Sequence, residues 1–255
     1  MSVRTDAPDI PSRVRLGTVG STNDEAARLA EQGAADGTLV TAEIQTAGRG
    51  RRSRDWHSPR GNLYLSLIAR PACAPHRASQ LSFAAAVALG DALSPLLPAG
   101  VEVAYKWPND VLLNGRKAAG LLLEASTVGE RVAWVVVGVG VNVANHPESV
   151  GEGALPATSL AAAGARATPE DVAEAFAARF AMWRGRWETE GFEPVRAAWL
   201  ARAFGLGRRV TVNLDGERFE GDFEAIDADG ALLAALPSGE RRRVTAAQVF
   251  FPWAA

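Results

Sequence analysis

An α/β domain followed by a small all-β module is the fold predicted by three features of this 255-residue chain. Strand-like segments alternate with alanine- and leucine-rich helical segments over residues 13–202. Beyond Gly205-Leu206-Gly207, short strand-like runs are separated by Asp215-Gly216, Asp229-Gly230 and Ser238-Gly239, the rhythm of a small β-barrel or SH3-like module. Between two early strands, residues 48–56 carry Gly48, Arg49, Gly50, Arg51, Arg52 and Arg54 before Asp55 and Trp56, with no apolar repeat, so this stretch reads as a loop. The expected domains are residues 1–204 and 205–255.

Residues 13–19 form the first strand and lead into Ser21-Thr22-Asn23. Ser21 or Thr22 can cap a helix carrying Ala26, Ala27, Leu29 and Ala30, and Thr22 with Glu25 has capping-box spacing. The three polar residues either cap alone or also offer, with free backbone N–H groups, a seat for a carboxylate, phosphate or polar ring. The second strand, residues 37–44, ends at Gln45, whose amide has the donor and acceptor needed to read a urea or amide group, unless it simply faces solvent. In the loop that follows, two glycines allow positive φ and close approach, while four guanidiniums repel one another unless an anion sits between them. A solvated basic loop is the competing reading. Residues 62–69 make a third strand with Leu63, Leu65 and Leu67 on one face and Tyr64, Ser66 and Ile68 on the other.

Cys73 follows in a proline-flanked loop, and residues 79–93 have helical spacing closed by Pro95 and Pro98. The strand at 101–105 delivers Lys106-Trp107-Pro108-Asn109-Asp110, in which Lys106 is either a snorkelling edge residue or a cation held at the sheet rim. Asn114-Gly115 predicts a type I′ hairpin carrying Lys117. A long strand at 131–143 ends in Gly138-Val139-Gly140-Val141-Asn142, where alternating glycines mean a bulge or close approach of a backbone or ligand ring. Residues 150–167 read as a loop with a candidate helix at 159–163. Pro169 opens a helix to about Trp187 with a core stripe of Val172, Phe176, Phe180 and Trp183, and residues 194–202 form a shorter one. Five short strands, at 209–214, 218–226, 231–235, 241–244 and 249–250, complete the chain.

Composition narrows the chemistry. With 47% apolar side chains the chain can bury a core, and its net charge of −2 makes the arginine-rich loop a local feature, so generic nucleic-acid affinity is not expected. A single cysteine and three scattered histidines (His57, His76, His146) predict no disulfide and no metal held by protein side chains alone. Residues 1–11 lack a signal-peptide core and no apolar run approaches the roughly 20 residues that span a bilayer, so a reduced, cytoplasmic protein without membrane attachment is expected.

Four segments, Ser21-Thr22-Asn23, residues 48–56, residues 106–110 with Lys117, and residues 138–142, together resemble biotin protein ligases, also called biotin–[acetyl-CoA-carboxylase] ligases, in order and approximate spacing. The resemblance covers nearly the whole chain. It implies an α/β catalytic domain with a mixed sheet, related to class II aminoacyl-tRNA synthetases and lipoate ligases, followed by the SH3-like domain. It implies a two-step reaction, in which the carboxylate of biotin attacks the α-phosphate of ATP and a lysine of a biotin carboxyl carrier domain then takes the biotinyl group. Carried over by motif, Ser21, Thr22, Asn23 and Gln45 bind the ureido ring, and Arg49, Gly50 and Arg51 close over the biotin chain and adenylate. Arg51, Arg54 and Trp56 engage the nucleotide, Lys106 the carboxylate and α-phosphate, and Lys117 and Asn142 the ATP side, with Lys106 and Arg51 catalytic. Cations suit such an attack of one anion on another, and Mg²⁺ bridging the phosphates is implied.

The resemblance further implies a monomer or weak homodimer. Ser53 stands where the pattern usually has a third loop glycine. Only 20 residues precede Ser21, so the expectation is a monofunctional enzyme without a DNA-binding domain. The unliganded loop is expected to be mobile and to be ordered by the phosphate of the adenylate. Two other readings are a lipoate ligase or octanoyl transferase on the same fold, and a non-catalytic nucleotide- or RNA-binding module.

Overall fold

The computed structural model describes residues 12–148, 155–214, 217–245 and 247–251; the expected Asp215-Gly216 turn and the N-terminal segment 1–11 lie outside them. The first elements are strand β1 (Arg13–Val19), helix α1 (Thr22–Glu31), β2 (Leu39–Gln45), β3 (Leu63–Ala69), α2 (Pro75–Ala78) and α3 (Leu81–Leu93). Then come β4 (Val103–Lys106), β5 (Asp110–Leu113), β6 (Arg116–Val128), β7 (Arg131–Val141), α4 (Pro169–Glu190) and α5 (Glu193–Leu200). The last five are β8 (Arg209–Leu214), β9 (Glu217–Ile226), β10 (Leu232–Ala235), β11 (Arg241–Val244) and β12 (Gln248–Phe250).

Strands β1 to β7 form one sheet in the order β1-β2-β3-β7-β6-β5-β4. Only the β1/β2 pair is parallel, which makes the sheet mixed as expected. The alternation along β3 decides its two faces. Leu63, Leu65 and Leu67 join the main core with α3 and α4, while Ile68 packs with Ala26 and Ala30 of α1, Val40 and Val136 on the other side. Because α1 covers only one end of that second face, the remainder of it is left for other contents.

The second sheet is antiparallel, in the order β11-β10-β9-β8-β12. It is fastened to the first by a shared core and by backbone carbonyls: Trp107 Nε1 donates to Gly230 O at 3.0 Å, Gln80 Nε2 to Ala228 O at 3.0 Å and Arg196 Nε to Ile226 O at 2.6 Å. These bonds satisfy buried donors that would otherwise be costly, and they hold the second module against the strand end that carries Lys106.

Several sequence expectations need correction. Ser21 alone caps α1, accepting from Asn23 N–H, while the Thr22 hydroxyl turns to Gln45 and Glu25 pairs with Arg28, so no Thr22–Glu25 box forms. Part of the proline-flanked segment is the short helix α2, whose first residue is Pro75, a ring already set at helical φ. Residues 159–163 make one turn, closed by Ala163 N–H to Ser159 O at 3.0 Å and ended by Gly164 at φ 86°, and not a helix. Asn114 and Gly115 both have positive φ, as a type I′ turn requires.

Candidate active site

Two registered pairs along β6 and β7 build the floor of the site, Gly120 opposite Gly140 and Leu122 opposite Gly138, and the next pair on that face, Glu124 opposite Val136, lies just beyond it. Glycines here bulge nothing; they clear space. A Cβ at Gly140 would lie 2.6 Å from Trp56 Nε1, and one at Gly120 3.2 Å from the same ring, so Trp56 lies across this pair. A Cβ at Gly138 would overlap the side-chain amide of Asn23, which lies across the next pair.

The segment Ser21-Thr22-Asn23 reaches this floor because α1 starts there. Gln45, at the end of β2, accepts at Oε1 from Thr22 N–H (2.8 Å) and Thr22 Oγ1 (3.0 Å) and donates from Nε2 to Ser58 Oγ (3.2 Å). Ser66 Oγ lies 2.6 Å from Asn23 Oδ1 and 2.8 Å from Thr22 Oγ1, with one proton for the two. Asn23 Nδ2 donates to Glu124 Oε2 at 2.8 Å. The result is a partly buried polar net whose members hold one another before any ligand arrives.

The loop is more structured than a purely irregular stretch. Arg49 and Asp55 pair as an isolated antiparallel bridge around a 3₁₀ turn at Arg51–Ser53. Neither Gly48 nor Gly50 takes positive φ; Arg52 does, at φ 57°, a conformation that disfavours side chains by about 1 kcal/mol. Gly48 is needed instead for close approach, since a Cβ there would lie 2.6 Å from Ser58 Oγ and 2.7 Å from Trp56 O.

The idea of four mutually repelling guanidiniums also needs revision. Arg49 is neutralised within the chain: Asp24 accepts from it at 2.7 and 2.5 Å and Glu124 at 3.2 Å, which pushes its pKa up and holds the Asp24 carboxyl below the usual range. Arg51 and Arg54 differ, for among the described residues no carboxylate pairs with either. Burial, with the Arg52 charge alongside, pushes the Arg51 guanidinium down against the opposing pull of Asp110.

Opposite the loop, β4 delivers Lys106 and β6 delivers Lys117. Their ammoniums lie 3.9 and 2.7 Å from Asp110, a carboxylate only 14% exposed. Burial pushes Asp110 up, but the two ammoniums outweigh it and leave the group below its ordinary value, so it stays ionised and holds lysines better than it accepts protons. Lys106 is pushed down, first by burial and then by Lys117, Arg54 and Arg51, with Asp110 opposing. Lys117 Nζ also lies 5.3 Å from the centroid of Trp56, and Lys106 Nζ 5.7 Å from that of Phe251 of the second module. Among the described residues, Trp56 Nε1 is buried without a hydrogen-bond partner.

One cavity of about 690 Å³ gathers all of this. Ser21, Thr22, Asn23, Gln45, Arg49, Gly50, Arg51, Arg54, Trp56, Lys106, Lys117 and Asn142 all line it, and its size suits one extended ligand. Asn142 is tied by Nδ2 to Thr158 O at 3.0 Å. Sequence reasoning missed Glu124 behind the cavity and the contribution of Ala247, Val249 and Phe250 from the second module. Period-2 spacing from Gly120 would have put Glu124 on the site's face, whereas nothing in the sequence signals docking of the second module. Among the described residues no group of three or more His, Cys, Asp or Glu could hold a metal ion, and no helix is long and apolar enough to cross a membrane.

Two family models match: the biotin/lipoate A/B protein ligase family over residues 18–142 and the biotin protein ligase C-terminal domain over residues 205–251. The chain is 45% identical to a biotin–[acetyl-CoA-carboxylase] ligase of Paracoccus denitrificans, over 92% of this chain and 99% of that one. It is 37% identical to the bifunctional ligase/repressor BirA of Bacillus subtilis, over 88% of this chain and 69% of that one. Among solved structures, the biotin protein ligase of Aquifex aeolicus in complex with biotin and ATP shares the fold, with a TM-score of 0.77 at 24% identity over 94% of this chain and 98% of that one. The Leishmania major biotin protein ligase with biotinyl-5-AMP gives a TM-score of 0.66 at 25% identity over 93% of this chain and all of its own. With catalytic and C-terminal models both matched, and a relative followed almost end to end, the chain belongs to the biotin protein ligase family.

Proposed function

We propose that this cavity carries both half-reactions of a biotin–[biotin carboxyl-carrier protein] ligase. In the first, a carboxylate oxygen of biotin bonds to the α-phosphorus of ATP and pyrophosphate leaves, giving biotinyl-5′-AMP. In the second, the ε-amine of a lysine on a carboxylase carrier domain bonds to the biotinyl carbonyl, AMP leaves with the bonding pair, and the amine's proton passes to solvent or to a base.

The observation that carries this reading is the charge imbalance at one place: Lys106, Lys117, Arg51 and Arg54 face the cavity, and Asp110 is the shielded carboxylate among them. Two anions cannot be brought together in water-poor surroundings without such cations, and cations fixed beforehand stabilise the charge that accumulates in the transition state. Lys106 and Arg51 are assigned to the reacting carboxylate and α-phosphate, with Lys117, held by Asp110, and Asn142 toward the nucleotide. Arg54 and Trp56 are assigned to the nucleotide as well, and an acceptor brought by it would satisfy the indole N–H.

At the other end, Ser21, Thr22, Asn23 and Gln45 offer a mixed donor and acceptor surface, the chemistry that recognises a ureido ring, with Arg49 and Gly50 closing over the chain that follows. Among the described residues the donor set does not form a metal cage, and the one shielded carboxylate is occupied by ammoniums, so Mg²⁺ would arrive with the substrate's phosphates and would supply charge neutralisation there.

The buried free thiol of Cys73 fits a reduced, cytoplasmic setting, and β1, paired on one side only, fits a monomer or weak homodimer. Incubation with ATP, labelled pyrophosphate and either biotin or lipoate tests the reading. Exchange of label into ATP is expected with biotin; exchange only with lipoate, or with neither acid, contradicts it.

A further inference from the structure

Glu124 does not line the cavity, yet its carboxylate touches two residues that do. It stands on β6 two residues beyond Leu122, so strand alternation brings it to the same face as the floor of the site. One oxygen accepts from Asn23 Nδ2 at 2.8 Å and the other from Arg49 Nη2 at 3.2 Å.

Each contact settles something the neighbouring residues leave open. Asn23 could point its amide either way, but with Ser66 Oγ at 2.6 Å from Oδ1 and Glu124 at Nδ2, a flipped amide would set its oxygen against a carboxylate. Arg49 Nη2 is shared between Asp24 on α1 and Glu124 on β6, so the root of the arginine-rich loop is tied to the sheet as well as to the helix. Asp24 is 59% exposed and Glu124 37%, which leaves Glu124 the better shielded of the two anchors.

We propose that Glu124 is a positioning residue for capture of the acid substrate, one carboxylate fixing both the amide across the floor of the trough and the base of the loop that folds over it. The inference rests on the biotin ligase reading of the cavity. Here the two donors go to two different oxygens of Glu124, and in a primary amide one of those two positions is an NH₂ group, a donor set against a donor.

The test is biotin-dependent ATP–pyrophosphate exchange with the full chain as wild type, Glu124→Gln, Arg49→Lys and the double variant, alongside thermal unfolding. For E124Q the KM for biotin is expected to rise about tenfold, the loss of one charge-assisted bond, with kcat and the KM for ATP within about twofold and Tm within about 2 °C. In the double-variant cycle, Arg49→Lys is expected to raise the KM for biotin at least about threefold less in the E124Q background than in the wild type, because both changes break one contact. An unchanged KM for biotin, strict additivity, or a fall in kcat and Tm with KM intact overturns the proposal. A wild type with no biotin-dependent exchange overturns the function itself and this inference with it.

Discussion

The two walls of the cavity are built on opposite principles. On the sheet wall, the polar groups of Thr22, Asn23 and Gln45 are held by hydrogen bonds and the Lys117–Asp110 pair is closed at 2.7 Å. On the loop wall, among the described residues, Arg51 and Arg54 have no carboxylate partner and Trp56 Nε1 has no acceptor. A wall satisfied in advance loses nothing when the reaction begins, which is what transition-state stabilisation requires. A wall with unmatched charge gains its partners only when an anion arrives, which is what a closing loop requires. Arg49 sits at the join, in the loop by sequence but paired to helix and sheet.

The largest expected effect comes from removing a cation of the sheet wall. Lys106→Met should lower biotin-dependent exchange about 10³-fold with little change in the KM for biotin, the scale of losing one preorganised stabilising group. Next is steric damage to that wall: Gly138→Ala forces a methyl group into Asn23, and should raise the KM for biotin about 100-fold while lowering stability by about 1–3 kcal/mol, measured by exchange kinetics and chemical denaturation.

The loop wall should respond differently. Arg54→Ala should raise the KM for ATP about tenfold and shorten the lifetime of bound biotinyl-5′-AMP, leaving the KM for biotin within about twofold. Equal effects of Lys106→Met and Arg54→Ala on both KM values would erase the distinction between the walls.

The smallest effect is a shift in a pH profile. Lys106 must be protonated to act, and burial with neighbouring cations lowers its pKa from 10.5, so kcat/KM for exchange should fall as pH rises through a value below 10.5. Asp110 pulls that pKa up, so Asp110→Asn should move the alkaline limb to lower pH. A limb at or above 10.5, or one moved upward in D110N, would contradict the arrangement of charges.

Much of the site was legible because its chemistry is local in sequence. Lys106 stands at a strand end, Lys117 just past an Asn-Gly turn, and Ser21-Thr22-Asn23 at a helix start, so each was placed by a backbone rule. The partners were not legible, because Asp24 and Glu124 reach Arg49 across 25 and 75 residues, and no local pattern reports that. The same limit explains why the four guanidiniums of the loop were read as repelling one another unless an anion lay between them, although Arg49 is paired within the chain, and why positive φ was allowed for at the glycines and fell at Arg52. Helix α2 was hidden by a proline, a residue that opens helices as well as marking loops.

A crystal structure with a non-hydrolysable biotinyl-adenylate analogue tests the central claim most directly. The account predicts Lys106 Nζ and the Arg51 guanidinium within about 4 Å of the phosphate, with the ring against Asn23 and Gln45. A phosphate bound elsewhere, or a loop left open with Arg51 turned away from it, would contradict the account.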